Sequence, residues 1–378
     1  MRISPLQLAL LLSVVSLAGC SQEMSDAVKE GRVGHLASAI QGGSNDTNAA
    51  HNFAVGVANR FGGVCSGTLI APNLVLTARH CVIPPSTHDS VTCSDMFPAN
   101  VAASALYITT EPNLYKAKSY YAATEVITPS DKAFCGNDIA LIVLEKNVPA
   151  SEAQPATPVV QFKMTDKRLS GSITAMGYGI TNPSAEDSGQ RRIRENIPLL
   201  CIPGSKDMDC SGDMAKYSDD AAEFVTEGYV CSGDSGSGAF DQRSFDKGAP
   251  FVMGTLSRGP QTKDKCLAAI YSRTDAHAAL IIDAANKAAA QGGYELPSWT
   301  APASASGSSD PASATTCEGE TCTDVSTTEP ATEGTSTRTM TTSGCSAAPR
   351  TNGSTSGSAA LVGLAVAAVF AARRRRSS

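Results

Sequence analysis

Between Ile40 and about Pro297 the apolar residues fall in short bursts separated by turn formers, the spacing of strands rather than of helices. Phe53-Ala54-Val55-Gly56-Val57 alternates with a period of two, and Leu74-Val75-Leu76-Thr77 does so in part. Asp138 to Leu144 and Phe251 to Leu256 are apolar runs bounded by turn residues, the pattern of buried strands. One segment differs. From Asp275-Ala276-His277 a run rich in Ala, Leu and Ile continues to Ala290, and Gly292-Gly293 stops it, which predicts a single closing helix. Strands throughout, with one closing helix and no internal repeat, predict an all-β body of barrel type. From Trp299 to Gly344 the pattern disappears into Ser, Thr, Ala, Gly, Pro and Glu. Such a segment cannot bury enough surface to offset its ordering entropy, so residues 299–344 are expected to form a disordered stalk.

Composition narrows the picture. With 378 residues, 42% of them hydrophobic, the chain has ample material for a packed core. The net charge of −6 comes without a basic stripe, so nucleic acid is not an expected partner. Twelve cysteines point to an oxidising compartment. Cys317 and Cys322 have the spacing to close a small loop within the stalk; no histidine lies near them, and no metal or cofactor is expected.

Both ends carry addresses. Met1-Arg2 and the apolar run Leu6 to Leu17 have the character of an export signal. It ends in Leu17-Ala18-Gly19-Cys20, which resembles a bacterial lipoprotein signal, with residues 1–19 removed and Cys20 lipidated; an ordinary cleaved signal with an incidental cysteine is the alternative. Near the other end, Ala359 to Ala372 gives fourteen apolar or small residues, and Arg373 to Arg376 follow. A helix of that length spans about 21 Å, short of a bilayer core near 30 Å. Together with Ser343-Gly344-Cys345, residues 345–378 resemble the C-terminal sorting tails of myxobacterial surface proteins. A plain membrane anchor is the alternative, and either reading expects export to a bacterial cell surface or outer membrane, with extracellular release left open.

Three segments of the body carry candidate chemistry: Leu76-Thr77-Ala78-Arg79-His80-Cys81, Gly136-Asn137-Asp138-Ile139-Ala140-Leu141 and Cys231-Ser232-Gly233-Asp234-Ser235-Gly236-Ser237-Gly238. Alone, His80 would more often be structural. In the order His, Asp, Ser, with cysteines beside His80 and four residues before Ser235, the three resemble the chymotrypsin (trypsin-like) serine proteases. Cys65-Ser66-Gly67-Thr68-Leu69-Ile70, Gly177-Tyr178-Gly179 and Leu256-Ser257-Arg258-Gly259 extend the resemblance over about 250 residues. It implies two six-stranded antiparallel β-barrels packed face to face with a C-terminal helix. It further implies a catalytic triad of His80, Asp138 and Ser235, with the N–H groups of Gly233 and Ser235 as the oxyanion hole. The residue types suit the task. A serine hydroxyl needs a base, an imidazole titrates near neutrality, and a carboxylate stabilises the imidazolium. By the same resemblance Cys65–Cys81, Cys201–Cys210 and Cys231–Cys266 are disulfides, which leaves Cys93–Cys135.

Ile40-Gln41-Gly42-Gly43 resembles the site at which zymogens of this family are cut, freeing an ammonium that pairs with the aspartate before the catalytic serine, here Asp234. Residues 20–39 would then be a propeptide and 40–298 the protease domain. Cleavage would follow Ala39, not Lys or Arg, so a protease of other specificity, or the enzyme itself, would activate the chain. It would also detach the body from a lipid on Cys20. In register with the family, Tyr229 falls at the floor of the specificity pocket, with Gly259 and Ala269 at its walls and Ser257 on the strand beside the substrate. A tyrosine there disfavours cleavage after Lys or Arg and favours small apolar residues. Arg79, and Ser237-Gly238, depart from the usual residues at their positions, with adjusted packing expected. The expected partners are protein or peptide substrates of a monomer. The rival readings are a catalytically silent binding module on the same scaffold, and an esterase.

Overall fold

The computed structural model describes residues 40–301 except 86–90, 182–184, 186, 212–217, 219, 231–232 and 261–265. The expected leader, Cys20, the propeptide 20–39 and the tail 345–378 lie outside the described residues.

The chain enters through the two-residue strand β1 (Ser44–Asn45) and then builds β2 (Ala54–Asn59), β3 (Val64–Ala71), β4 (Leu74–Thr77), β5 (Leu106–Thr109), β6 (Tyr121–Ile127) and β7 (Ala140–Leu144). These six close into a barrel in the order β2-β3-β4-β7-β6-β5. Closure leaves no unpaired edge, which is how short, strongly apolar strands avoid joining other chains. After β8 (Thr157–Pro158) come β9 (Ser172–Gly177), β10 (Arg192–Cys201), β11 (Glu223–Glu227) and β12 (Gly238–Asp241). The helix α1 (Gln242–Asp246), β13 (Phe251–Arg258), β14 (Ala268–Arg273) and the helix α2 (Ala278–Gly292) follow. A second six-stranded ring runs β9-β10-β11-β14-β13-β12, and β9 closes it against β10. Both rings are antiparallel. β8 joins β13 in parallel, and β1 joins the second ring at β10 rather than the first. The barrels meet where β3 and β4 face β9, β12 and β13.

The alternation read in Phe53–Val57 produces a strand buried on both faces, with Ala54 to Ala58 all buried. Val55 and Val57 enter the first barrel's core, while Gly56 and Ala58 lie outside it under Leu114 and Tyr178. β4 and β7 are buried throughout, as their unbroken apolar runs predict.

Two boundaries differ from the sequence reading. The closing helix begins at Ala278, not Asp275, because the Asp275 carboxylate binds Arg273 and the backbone N–H of Met164 and is not free to cap it. Its far end is as expected: Gly293 takes a left-handed φ of 67°, and its N–H bonds back to Ala289. Trp299, expected to open the stalk, is only 6% exposed and packs with the first barrel's core. Gln161 holds the carbonyls of Ser298 and Ala301, so the packed body continues to 301.

Candidate active site

His80 lies in a short 3-10 turn, Arg79–Val82, at the end of β4. Cys81 is disulfide-bonded to Cys65 on β3, which fixes the turn against the barrel. Across from it, Asp138 precedes β7 and has no accessible surface. A bare carboxylate at such depth would be costly, and it is fully engaged. Its Oδ2 lies 2.7 Å from His80 Nδ1 and accepts a 2.7 Å hydrogen bond from Ser257 Oγ. Its Oδ1 accepts the His80 backbone N–H at 2.9 Å. The Ser272 hydroxyl donates to the Asp138 carbonyl.

These contacts set the electrostatics. Burial disfavours the Asp138 charge, but the His80 charge and the hydrogen bonds from His80 and Ser257 outweigh it, so its pKa lies below the ordinary carboxylate value. Burial likewise works against the His80 cation, and the adjacent Asp138 reverses the sign, so the imidazole pKa is raised. Because Nδ1 faces the carboxylate, it carries the proton, and Nε2 is left as the base.

Ser235 sits in the loop before β12, and glycine makes that loop possible. Gly236 has φ of 81°, and a Cβ there would run into Thr77 Oγ1 and the Ser66 carbonyl and come within 3.0 Å of the Ala78 nitrogen. The serine loop therefore closes directly on the end of β4, two residues before His80. Ser66 ties the two together: its N–H donates to the Ser235 carbonyl and its hydroxyl to the Gly233 carbonyl. Gly233 has φ of 87°, a conformation that L side chains rarely adopt. Asp234 is fully buried, accepts the Gly179 N–H on Oδ1, and fills the space where a Cβ on Gly177 would project.

The first residues described also join this half of the molecule. Ile40 has no accessible surface and packs in the second barrel's core with Val230. The Gln41 N–H donates to the Tyr229 carbonyl, and Gln41 Oε1 accepts from the Cys266 N–H. Tyr229 itself has φ of 103°, and the Arg194 guanidinium covers its ring at 3.4 Å while donating to the Gln41 carbonyl. Thus one face of the ring expected at a pocket floor is taken by an arginine of β10. Ala269 is fully buried among the apolar residues of the second barrel's core. Gly259 leaves no room for a side chain, since a Cβ would meet the Ala268 carbonyl. The Ser257 hydroxyl is occupied by Asp138, so its side chain is bonded to the carboxylate.

The cysteine pairs Cys65–Cys81, Cys93–Cys135 and Cys201–Cys210 are formed. Cys266 is disulfide-bonded as well, while Cys231 lies outside the described residues. Cys65, His80 and Cys81 cluster with metal-like proximity, but both sulfurs are oxidised and offer no thiolate. Arg79 is buried, stacks on Phe97 at 4.7 Å and donates to the Asp131 carbonyl. Burial lowers its pKa, and the nearby Asp138 and Asp131 charges partly offset that effect.

Sequence reasoning passed over a second charged cluster behind the first. Glu223 on β11 is fully buried and forms a bidentate pair with Arg258, the residue after Ser257. The signal was present: a glutamate opens one largely apolar strand and a lone arginine ends another. Opposite charges in buried strands must find each other.

A protein-family model described as Trypsin matches residues 40–281. Among characterised proteins, the chain is 24% identical over 260 residues to a trypsin of Saccharopolyspora erythraea, covering 66% of this chain and the whole of that protein. It is 26% identical over 232 residues to phenoloxidase-activating factor 3 of Holotrichia diomphalia, covering 56% of this chain and 61% of that one.

Proposed function

The chain belongs to the trypsin family, and on that premise we propose that it is an exported serine endopeptidase acting through Ser235, His80 and Asp138. The observation that carries the reading is the hydrogen-bonded pair of His80 and buried Asp138, set beside the loop of Ser235. Ser235 Oγ attacks the scissile carbonyl carbon as its proton passes to His80 Nε2. The carbonyl π electrons move to oxygen, where the N–H groups of Gly233 and Ser235 stabilise the charge. His80 then delivers the proton to the departing amine, leaving an acyl-enzyme. A water, deprotonated by the same nitrogen, attacks it and releases the acid. Asp138 stays ionised throughout and holds the imidazole in the tautomer that exposes Nε2.

Activation by cleavage between Ala39 and Ile40 belongs to the same reading. It is supported by the burial of Ile40 beside the Tyr229-Val230 segment and by the buried carboxylate of Asp234. With no acid at Tyr229 or Gly259, cleavage after Lys or Arg is not expected, and small apolar residues such as Ala39 are favoured. Surface retention through the termini completes the proposal.

Fluorophosphonate labelling of the processed enzyme tests the chemistry. Labelling should occur at Ser235 and vanish in Ser235→Ala; a folded, processed protein that resists the reagent would leave only a silent scaffold. Hydrolysis of a peptide library then separates a peptidase from an esterase. Terminal sequencing tests activation: mature protein beginning at Cys20 instead of Ile40 rules it out.

A further inference from the structure

Glu223 is buried with no accessible surface, and four donors converge on its two oxygens. Arg258 supplies two, at 2.6 Å to Oε1 and 2.9 Å to Oε2, and the Ser218 hydroxyl donates to Oε2 at 2.6 Å. The fourth donor is the backbone N–H of Gly136, 2.9 Å from Oε1. On its other side, the Gly136 carbonyl accepts a 2.8 Å hydrogen bond from His277 Nε2, just ahead of α2. Burial lowers the His277 pKa, against the pull of Asp220 and Asp275, so the ring is neutral near neutral pH with its one proton on Nε2.

Gly136 is the joint of this loop. Its φ of 76° and the Asp220 carboxylate standing where a Cβ would project exclude a side chain. Cys135, before it, is anchored by the disulfide to Cys93, and Asp138 follows two residues later. Two residues reach about 7 Å, so a rotation of about 10° at this joint would displace the Asp138 carboxylate by about 1 Å. A misplacement of that size can cost about 100-fold in rate. The other partner of Glu223, Arg258, adjoins Ser257, whose hydroxyl is bonded to Asp138 Oδ2. One carboxylate thus holds both routes to the acid: its own loop and the serine that donates to it.

We propose that Glu223 and His277 are positioning residues that grip the Gly136 peptide from opposite sides and thereby hold Asp138 in register with His80. The inference rests on Asp138 acting as the carboxylate of the triad.

Processed full-length enzyme decides the matter through three variants. Glu223→Gln keeps an oxygen for Gly136 but turns a donor towards Arg258. His277→Leu removes the bond to the Gly136 carbonyl, and His277→Gln restores an N–H donor. Each folded variant is measured for kcat and KM separately, and by proton NMR for the low-field resonance of the His80 Nδ1–H proton, assigned by its loss in Asp138→Asn. Glu223→Gln and His277→Leu should lower kcat about 10- to 100-fold with KM within about twofold, and should shift or broaden the resonance. His277→Gln should recover most of both. Wild-type kcat, or a reduced kcat with an unmoved resonance, in the folded variants overturns the proposal. If Glu223→Gln does not fold, the His277 pair gives the answer alone. If wild-type enzyme fails to react with fluorophosphonate, the peptidase reading falls instead, while the resonance still reports whether the two residues hold Asp138.

Discussion

A raised His80 pKa has a definite kinetic sign. The free enzyme needs a neutral imidazole, so the acid limb of kcat/KM against pH is expected above the ordinary histidine value of about 6.5. Replacing Asp138 by Asn removes the charge that raises it. The limb should then move to lower pH, and kcat should fall by about 10⁴ as the wrong tautomer is favoured, both read from pH–rate profiles of pure enzyme. In stability terms, the contribution of the His80–Asp138 pair is fully present below the imidazole's unfolded-state value and is lost as pH rises through the raised folded one. A second residue-scale prediction concerns Arg191, which has no accessible surface and donates to Asp46 at 2.8 Å. It also donates to Asn52 and to the carbonyls of Asn48, Ala54 and Thr110. Arg191→Met leaves the Asp46 carboxylate half-paired and should cost about 3–5 kcal/mol by denaturant unfolding. The Asp46 pKa is lowered: His51 and Arg191 together outweigh its burial. Its stabilising contribution is therefore lost as pH falls through that lowered value, and the difference between wild type and Asp46→Asn should shrink in acid.

At the scale of elements, two glycines separate strain from collision. Gly293, which ends α2, has φ of 67° but open space around a hypothetical Cβ. Gly293→Ala should cost about 1 kcal/mol in thermal unfolding and leave activity unchanged. Gly236 has the same backbone habit but no space, so Gly236→Ala must push the Ser235 loop off the end of β4. That variant should lose peptidase activity well before it loses its fold, compared by kcat and circular dichroism. Four strands and the closing helix were legible from apolar spacing, because runs such as Ile139–Leu144 are satisfied only when buried. The start of α2 was not, since Asp275 reads as a cap until Arg273 and Met164 are seen to claim it. Glu223 was missed too: glutamates at the ends of a short strand read as exposed unless a partner, here 35 residues on, is known to be adjacent.

The two barrels are interlocked by the first and last elements described. β1 and Ile40, ahead of the first barrel in sequence, belong to the second. α2, which follows the second barrel, lays Ile281, Ala284, Ala285 and Ala288 on the core of the first. Its Gln291 side chain and Ala288 carbonyl bond to Leu144 and Asn73 respectively. The order of synthesis therefore cannot be the order of completion. A ribosome or export channel that has released the first 150 or so residues has delivered a barrel without its lid and a strand without its sheet. The first barrel is not completed until α2 emerges. Chains truncated before residue 278 should accumulate as protease-sensitive fragments, and the two halves made separately should regain resistance only when mixed.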